Sequence, residues 1–180
     1  EALEVLEALR PDAVVLDDEL DYVIEDAHAW TETHKTRIKI LTYAGKKGYS
    51  EINLDFNPAW DEVKIIKARV TGADGQVTEV LEQELVSMDK SWVGEAPRYP
   101  AGKTLVVGLP AVEIGSVVEF EMEHRKWDRP FFALEGASVC QDPWGAGDTL
   151  VAVPYYSLAG SFRGLNPVLS KTLVIDAPKD

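Results

Sequence analysis

Cysteine is almost missing from this chain: Cys140 stands alone among 180 residues, so no disulfide can close within it and a packed core must hold the fold. Histidine is nearly as scarce, with three in all, which leaves few general bases and few imidazole metal ligands. Long apolar runs are also absent. None approaches the roughly 18 residues a membrane span requires, and residues 1–10 have neither the basic start nor the apolar centre of a signal peptide. Positive charge is the minority sign: 18 Lys and Arg stand against 31 Asp and Glu, a formal net charge of −13. A field of that sign repels phosphate backbones and anionic headgroups, so neither nucleic acid nor membrane insertion is expected. There is no initiator Met, and the expectation is a removed leader or a segment of a longer protein.

What is present is ordinary globular material, 46% hydrophobic and 27% charged, in a length sufficient to bury a real core. Its clearest pattern runs through residues 116–125. Val118, Phe120, Met122 and His124 alternate with Glu119, Glu121, Glu123 and Arg125, the period-two signature of a half-buried strand in an antiparallel sheet. Residues 109–115, with Pro110 and Gly115 at the corners, lead into it. At the N-terminus, Leu3, Val5, Leu6 and Leu9 have helical spacing and Pro11 stops them, which predicts a helical lead-in over residues 1–11. Residues 12–180 then read as one all-β domain.

Within that domain, strands are predicted at 13–16, at 20–24 after an acidic corner, and over 27–41, where Trp30, Thr36, Ile38 and Ile40 share a face opposite Lys35, Arg37 and Lys39. Residues 43–48 read as a turn marked by two glycines. Ile52, Leu54 and Phe56 line one side of a strand at 51–57, and a loop over 57–61 precedes a strand with Ile66, Ala68 and Val70 on one face. Asp74-Gly75 marks a hairpin. A helical turn is predicted over 82–87 and a loop over 91–103, with further strands at 77–81, 104–109, 131–140, 149–153 and 168–175. Many short strands separated by turn chemistry predict an antiparallel β-sandwich or a large curved sheet with a short N-terminal helix. A last strand so close to Asp180 is expected to leave an unpaired edge, as in a domain cut short at its C-terminus.

Chemistry is hard to find in this pattern. Cys140, in Val139-Cys140-Gln141-Asp142-Pro143, lacks the glycine-flanked helix start that lowers a thiol's pKa, and His124 sits on an apolar face, where a satisfied core histidine is the commoner outcome. His28, Glu32 and His34 share one face of a strand, but at about 3.3 Å per residue the two histidines are about 20 Å apart, too far for one ion. Asp17, Asp18, Glu19 and Asp21 offer oxygen ligands without the glycine and terminal glutamate of a calcium loop. No phosphate-cradling loop is present, and the basic residues of 34–39 alternate as one solvated strand face. No metal and no cofactor are expected. The candidate binding residues are aromatics predicted in loops: Trp60, Trp92, Tyr99 and Trp144, which can stack on a ligand or pin their loops to the core.

The ordered set of turns also has a familiar outline. Asp12-Ala13-Val14-Val15-Leu16 at the entry, Ile38-Lys39-Ile40-Leu41 then Gly45, Trp60-Asp61-Glu62-Val63 leading to Lys67-Ala68-Arg69-Val70, Asp74-Gly75, and Leu109-Pro110 before Gly115-Ser116-Val117-Val118-Glu119-Phe120 follow one another in this order. In this the chain resembles the bacterial domain of unknown function that stands N-terminal to transglutaminase-like, papain-like cysteine hydrolase domains. The resemblance implies an all-β module of a larger protein that is exported, periplasmic or associated with the cell envelope. It also implies that the catalytic Cys, His and Asp lie in the downstream domain, so no catalytic residue carries over and Cys140 does not inherit the nucleophile's role. The family's β fold has been likened to the N-terminal domain of certain zinc aminopeptidases, a likeness that carries no activity with it. The expected function is a non-catalytic module that packs against, or presents substrate to, the downstream domain. The alternatives are an independent glycan- or peptide-binding domain and, behind both, a hydrolase using Cys140.

Overall fold

The computed structural model describes residues 2–26, 29–95, 102–127 and 166–178. Its elements are α1 (Ala2–Ala8), β1 (Ala13–Ile24), β2 (Trp30–Ile40), α2 (Tyr43–Gly48), β3 (Glu51–Phe56), β4 (Asp61–Thr71), β5 (Val77–Glu79), β6 (Leu85–Asp89), β7 (Lys103–Gly108), β8 (Val117–Lys126) and β9 (Lys171–Asp176). Six strands form one sheet in the order β5-β4-β8-β2-β1-β9, and three form a second in the order β3-β7-β6. The fold is all-β with a short N-terminal helix, as the turn and strand pattern predicts.

The alternation of β8 sets the core. Paired on both sides, β8 aligns Val118 with Ile38 and Val70, and Phe120 with Thr36 and Ala68, so the apolar rows of three strands point the same way. Ile52, Leu54, Leu85 and Leu105 of the smaller sheet pack against that cluster. Val107 of β7, fully buried, lies between Ile52 and Leu85 in the register. Two sheets that each have one apolar face thereby cover one another.

Several predicted boundaries shift, each for a physical reason. The acidic corner at 17–19 does not exist: β1 runs unbroken through it, with a register shift between Val15 and Asp17. Asp17 and Glu19 meet Arg37 and Lys35 in the register on the wet face, and opposite charge across the strands suits an extended chain better than a turn. The predicted face of Ile66, Ala68 and Val70 is corrected by a second bulge between Ile65 and Lys67. Ile65 turns inward in place of Ile66, which is 54% exposed. One extra residue flips the side-chain phase, and no periodicity count reveals it.

Residues 43–48 form a helical turn rather than an open one. Thr42 caps it, its Oγ1 accepting from Gly45 N at 3.1 Å, and the backbone carbonyl of Asp12 packs so closely that a Cβ on Gly45 would sit 2.1 Å from it. The helical turn predicted over 82–87 is a 3₁₀ turn of Glu82–Glu84 followed by β6, because pairing with β7 claims residues from Leu85 onward. Asp74-Gly75 does form the β4–β5 hairpin, with Gly75 at φ 83°. Against the antiparallel expectation, β9 runs parallel to β1. It ends the sheet order among the described residues, with Leu173, Val174 and Ile175 exposed. The strands predicted at 131–140 and 149–153 lie outside the described residues. No helix among the described residues is long and apolar enough to cross a membrane.

Candidate functional site

The register brings one set of strand ends together. In the small sheet, Phe56 at the end of β3 and Asp89 at the end of β6 both face Lys103 at the start of β7. In the large sheet, Asp61 at the start of β4 and Trp30 at the start of β2 both face Lys126 at the end of β8. The loop from β3 to β4 crosses between the sheets at this end and carries Trp60. The loop from β6 to β7 carries Trp92 on a 3₁₀ turn, Ser91–Gly94. Residues more than 30 positions apart in sequence thus line one open groove of about 270 Å³ between Trp60 and Trp92, with Asp55, Asp61, Lys90 and Lys126 supplying its polar lining.

Each wall is held from behind. On the β3 side, Asp55 accepts hydrogen bonds from Lys90 Nζ at 2.5 Å and Thr104 Oγ1 at 2.6 Å. The Lys90 bond first, then that of Thr104, holds the Asp55 carboxyl below the usual range and keeps it an ionised acceptor. On the same side, beside Lys90, Trp92 leaves 39% of its surface exposed. Its ring rests against Gly102, where a Cβ would come within 2.8 Å of Cζ2, so Gly102 permits the ring's position. Asn57 organises the Trp60 loop: its carbonyl accepts from Trp60 N and Asp61 N, its side-chain oxygen accepts from Ala59 N, and its own N–H donates to Asp61.

Below the groove the floor is buried and polar. Asp61 is 6% exposed, with Lys126 Nζ at 3.9 Å and His124 Nε2 at 3.3 Å from its Oδ2. The His124 nitrogen is buried without a hydrogen bond; its approach to Asp61 has the distance of one and not the alignment. The imidazole meets Trp30 edge-on, with ring centroids 5.4 Å apart, and Lys126 Nζ stands 5.2 Å from the Trp30 ring centroid. His124 is therefore on the inward face, as its strand position predicts, beside a carboxylate that the apolar pattern did not announce.

Of the four loop aromatics singled out in the sequence, the structure brings Trp60 and Trp92 to one groove, while Tyr99 and Trp144 lie outside the described residues, as does Cys140. His28 also lies outside them, and His34 is committed elsewhere: its Nε2 lies 2.7 Å from Asp18 Oδ1, with Lys171 Nζ 2.8 Å from the other oxygen. In the acidic run at 17–21, Asp18 faces His34 while Asp17, Glu19 and Asp21 follow one another along the opposite face of β1, where Asp17 and Glu19 meet Arg37 and Lys35 across the strands. Among the described residues no three His, Cys, Asp or Glu side chains cluster as metal ligands. Sequence reasoning missed Asp55, Asp61, Lys90 and Lys126. Local signals existed only for Asp61, adjacent to Trp60, and for Lys126, at the end of an alternating strand.

A family model for a domain of unknown function, DUF3857, matches residues 26–180. Among solved structures, a Parabacteroides distasonis protein provisionally described as a protease matches with a TM-score of 0.61 at 15% identity, over 68% of this chain and 24% of its own. The chain thus spans about a quarter of that protein's length, and the likeness is one of fold. An M1 zinc metallopeptidase from Deinococcus radiodurans aligns at 13% identity and a TM-score of 0.34, over 64% of this chain and 21% of its own. The CBM3a-L domain of a Clostridium thermocellum cellulosome scaffoldin aligns at 10% identity and a TM-score of 0.35, over 64% and 68%. No curated protein matches the chain.

Proposed function

Because this chain belongs to the DUF3857 family of domains of unknown function, we propose that it is a non-catalytic β module of a larger bacterial protein, exported and periplasmic or envelope-associated. It packs against, or presents substrate to, a transglutaminase-like cysteine hydrolase domain on its C-terminal side. The observation that carries this reading is the partial coverage: the shared fold makes up 24% of the P. distasonis protein described as a protease, so there it is one part of a longer chain. The groove at Trp60 and Trp92 supplies the substrate contact.

The test begins with the reading frame downstream of Asp180, where a papain-like Cys, His and Asp set is expected. In the full-length protein, replacing that downstream Cys with Ser abolishes peptide hydrolysis, Cys140→Ser leaves it unchanged, and Trp92→Ala raises KM with kcat kept. Loss of activity in Cys140→Ser with the fold intact, or a reading frame with no such set, refutes the proposal. A second reading, an independent glycan- or peptide-binding domain, is favoured by one observation: two tryptophans, one of them partly exposed, share a groove with carboxylates and ammonium groups.

A further inference from the structure

We propose that the groove between Trp60 and Trp92 binds an uncharged saccharide unit; this rests on the reading of that groove as a ligand site and names its ligand class. The charge of the lining is the first argument. Its two carboxylates, Asp55 and Asp61, are matched by two ammonium groups, Lys90 and Lys126. A charged ligand therefore finds no uncompensated partner. An anion also approaches against a formal net charge of −13, and a cation must displace the lysine already on Asp55.

The second argument is hydrogen-bonding capacity. An ionised carboxylate has about four acceptor positions and an ammonium three donors; Asp55 engages only Lys90 and Thr104, whereas Asp61 lies almost buried and accepts from Asn57 N, so the open acceptor positions are those of Asp55. The lining thus holds both acceptors and donors, and a sugar hydroxyl, which is one donor and two acceptors, meets either. The third is the aromatic wall. A partly exposed indole lying close against Gly102, which has no side chain to displace it, presents a flat apolar surface. The C–H face of a pyranose ring is the flat, weakly polar surface that fits it, with the ring's hydroxyls directed to the surrounding rim.

The experiment titrates the chain with three uncharged hexasaccharides (cellohexaose, mannohexaose and N-acetylchitohexaose), with galacturonic acid hexamer, and with an uncharged Gly-Ser hexapeptide, reading tryptophan fluorescence and calorimetric heat. At least one uncharged hexasaccharide is expected to bind with Kd below about 1 mM. That affinity is expected to change little between about 50 and 500 mM salt, and to fall at least about tenfold in Trp92→Ala while Trp92→Tyr, which keeps a flat ring, retains most of it. Tighter binding of the acidic hexamer or the peptide, lost in Trp92→Ala, overturns the saccharide assignment and leaves the groove a ligand site. Absence of binding by every probe, or binding indifferent to Trp92→Ala in a variant with wild-type circular dichroism, overturns the groove itself.

Discussion

A few side chains have no latitude, and Gly45 has the least. Its missing Cβ makes room for the Asp12 carbonyl, which accepts from Leu41 N and Thr42 N and so ties the entry of β1 to the end of β2. Gly45→Ala forces backbone to move and is expected to destabilise the fold by about 1–3 kcal/mol, read as a lowered urea midpoint at unchanged m-value. A midpoint equal to wild type would mean that the 43–48 turn does not pack on residue 12. Glu119 shows a different dependence. On the wet face its carboxylate gathers Arg37, Lys67 and Arg69, and the Arg69 hydrogen bond holds its pKa low against a smaller upward push from burial. One acidic position of the β8 alternation thus anchors cations from β2 and β4 at once.

Among the elements, β4 carries the most instructive irregularity. Its bulge turns Ile65 toward the core and leaves Ile66 exposed, although both are isoleucine in adjacent positions. Ile66→Ala is therefore expected to change stability by less than about 0.5 kcal/mol, whereas Ile65→Ala costs about 2 kcal/mol or more. Equal losses in chemical denaturation, or the reverse order, would refute the phase reversal. This is also where sequence legibility ends for strands. Val118, Phe120 and Met122 declare their face because β8 has no bulge, while the faces of β1 and β4 depend on where an extra residue enters the ladder. The same holds for β6, where residues 85–87, the end of the predicted helical turn, become strand because β7 offers them partners.

Across the whole molecule, acidity is both surface and support. Asp18 is half-enclosed, and burial alone would raise its pKa; hydrogen bonds from Lys171 and then His34 outweigh that and hold it low. Asp55 and Glu119 are also held low. A carboxylate with a depressed folded pKa contributes stability above its unfolded value and loses it as pH falls through the folded one. The melting temperature is accordingly expected to be flat above about pH 5 and to drop progressively toward about pH 2. Because Asp18 joins β1, β2 and β9, Asp18→Asn should shrink that acid-dependent drop; a pH profile identical to wild type would show that this cluster contributes nothing to the titration.

Composition and period-two patterning by themselves determined the fold class, the central place of the β8 face, the β4–β5 hairpin, the helical lead-in and the candidacy of Trp60 and Trp92. These are local properties, written in hydrophobic alternation and turn chemistry over a few neighbouring residues. Only the tertiary structure decided the bulges, the parallel course of β9, the helical turn at residues 43–48, and the meeting of Asp55, Asp61, Lys90 and Lys126 around two tryptophans. Those depend on register and on how two sheets stack their ends, which are relations between distant segments. No residue's immediate neighbours record where a strand dozens of positions away will stop.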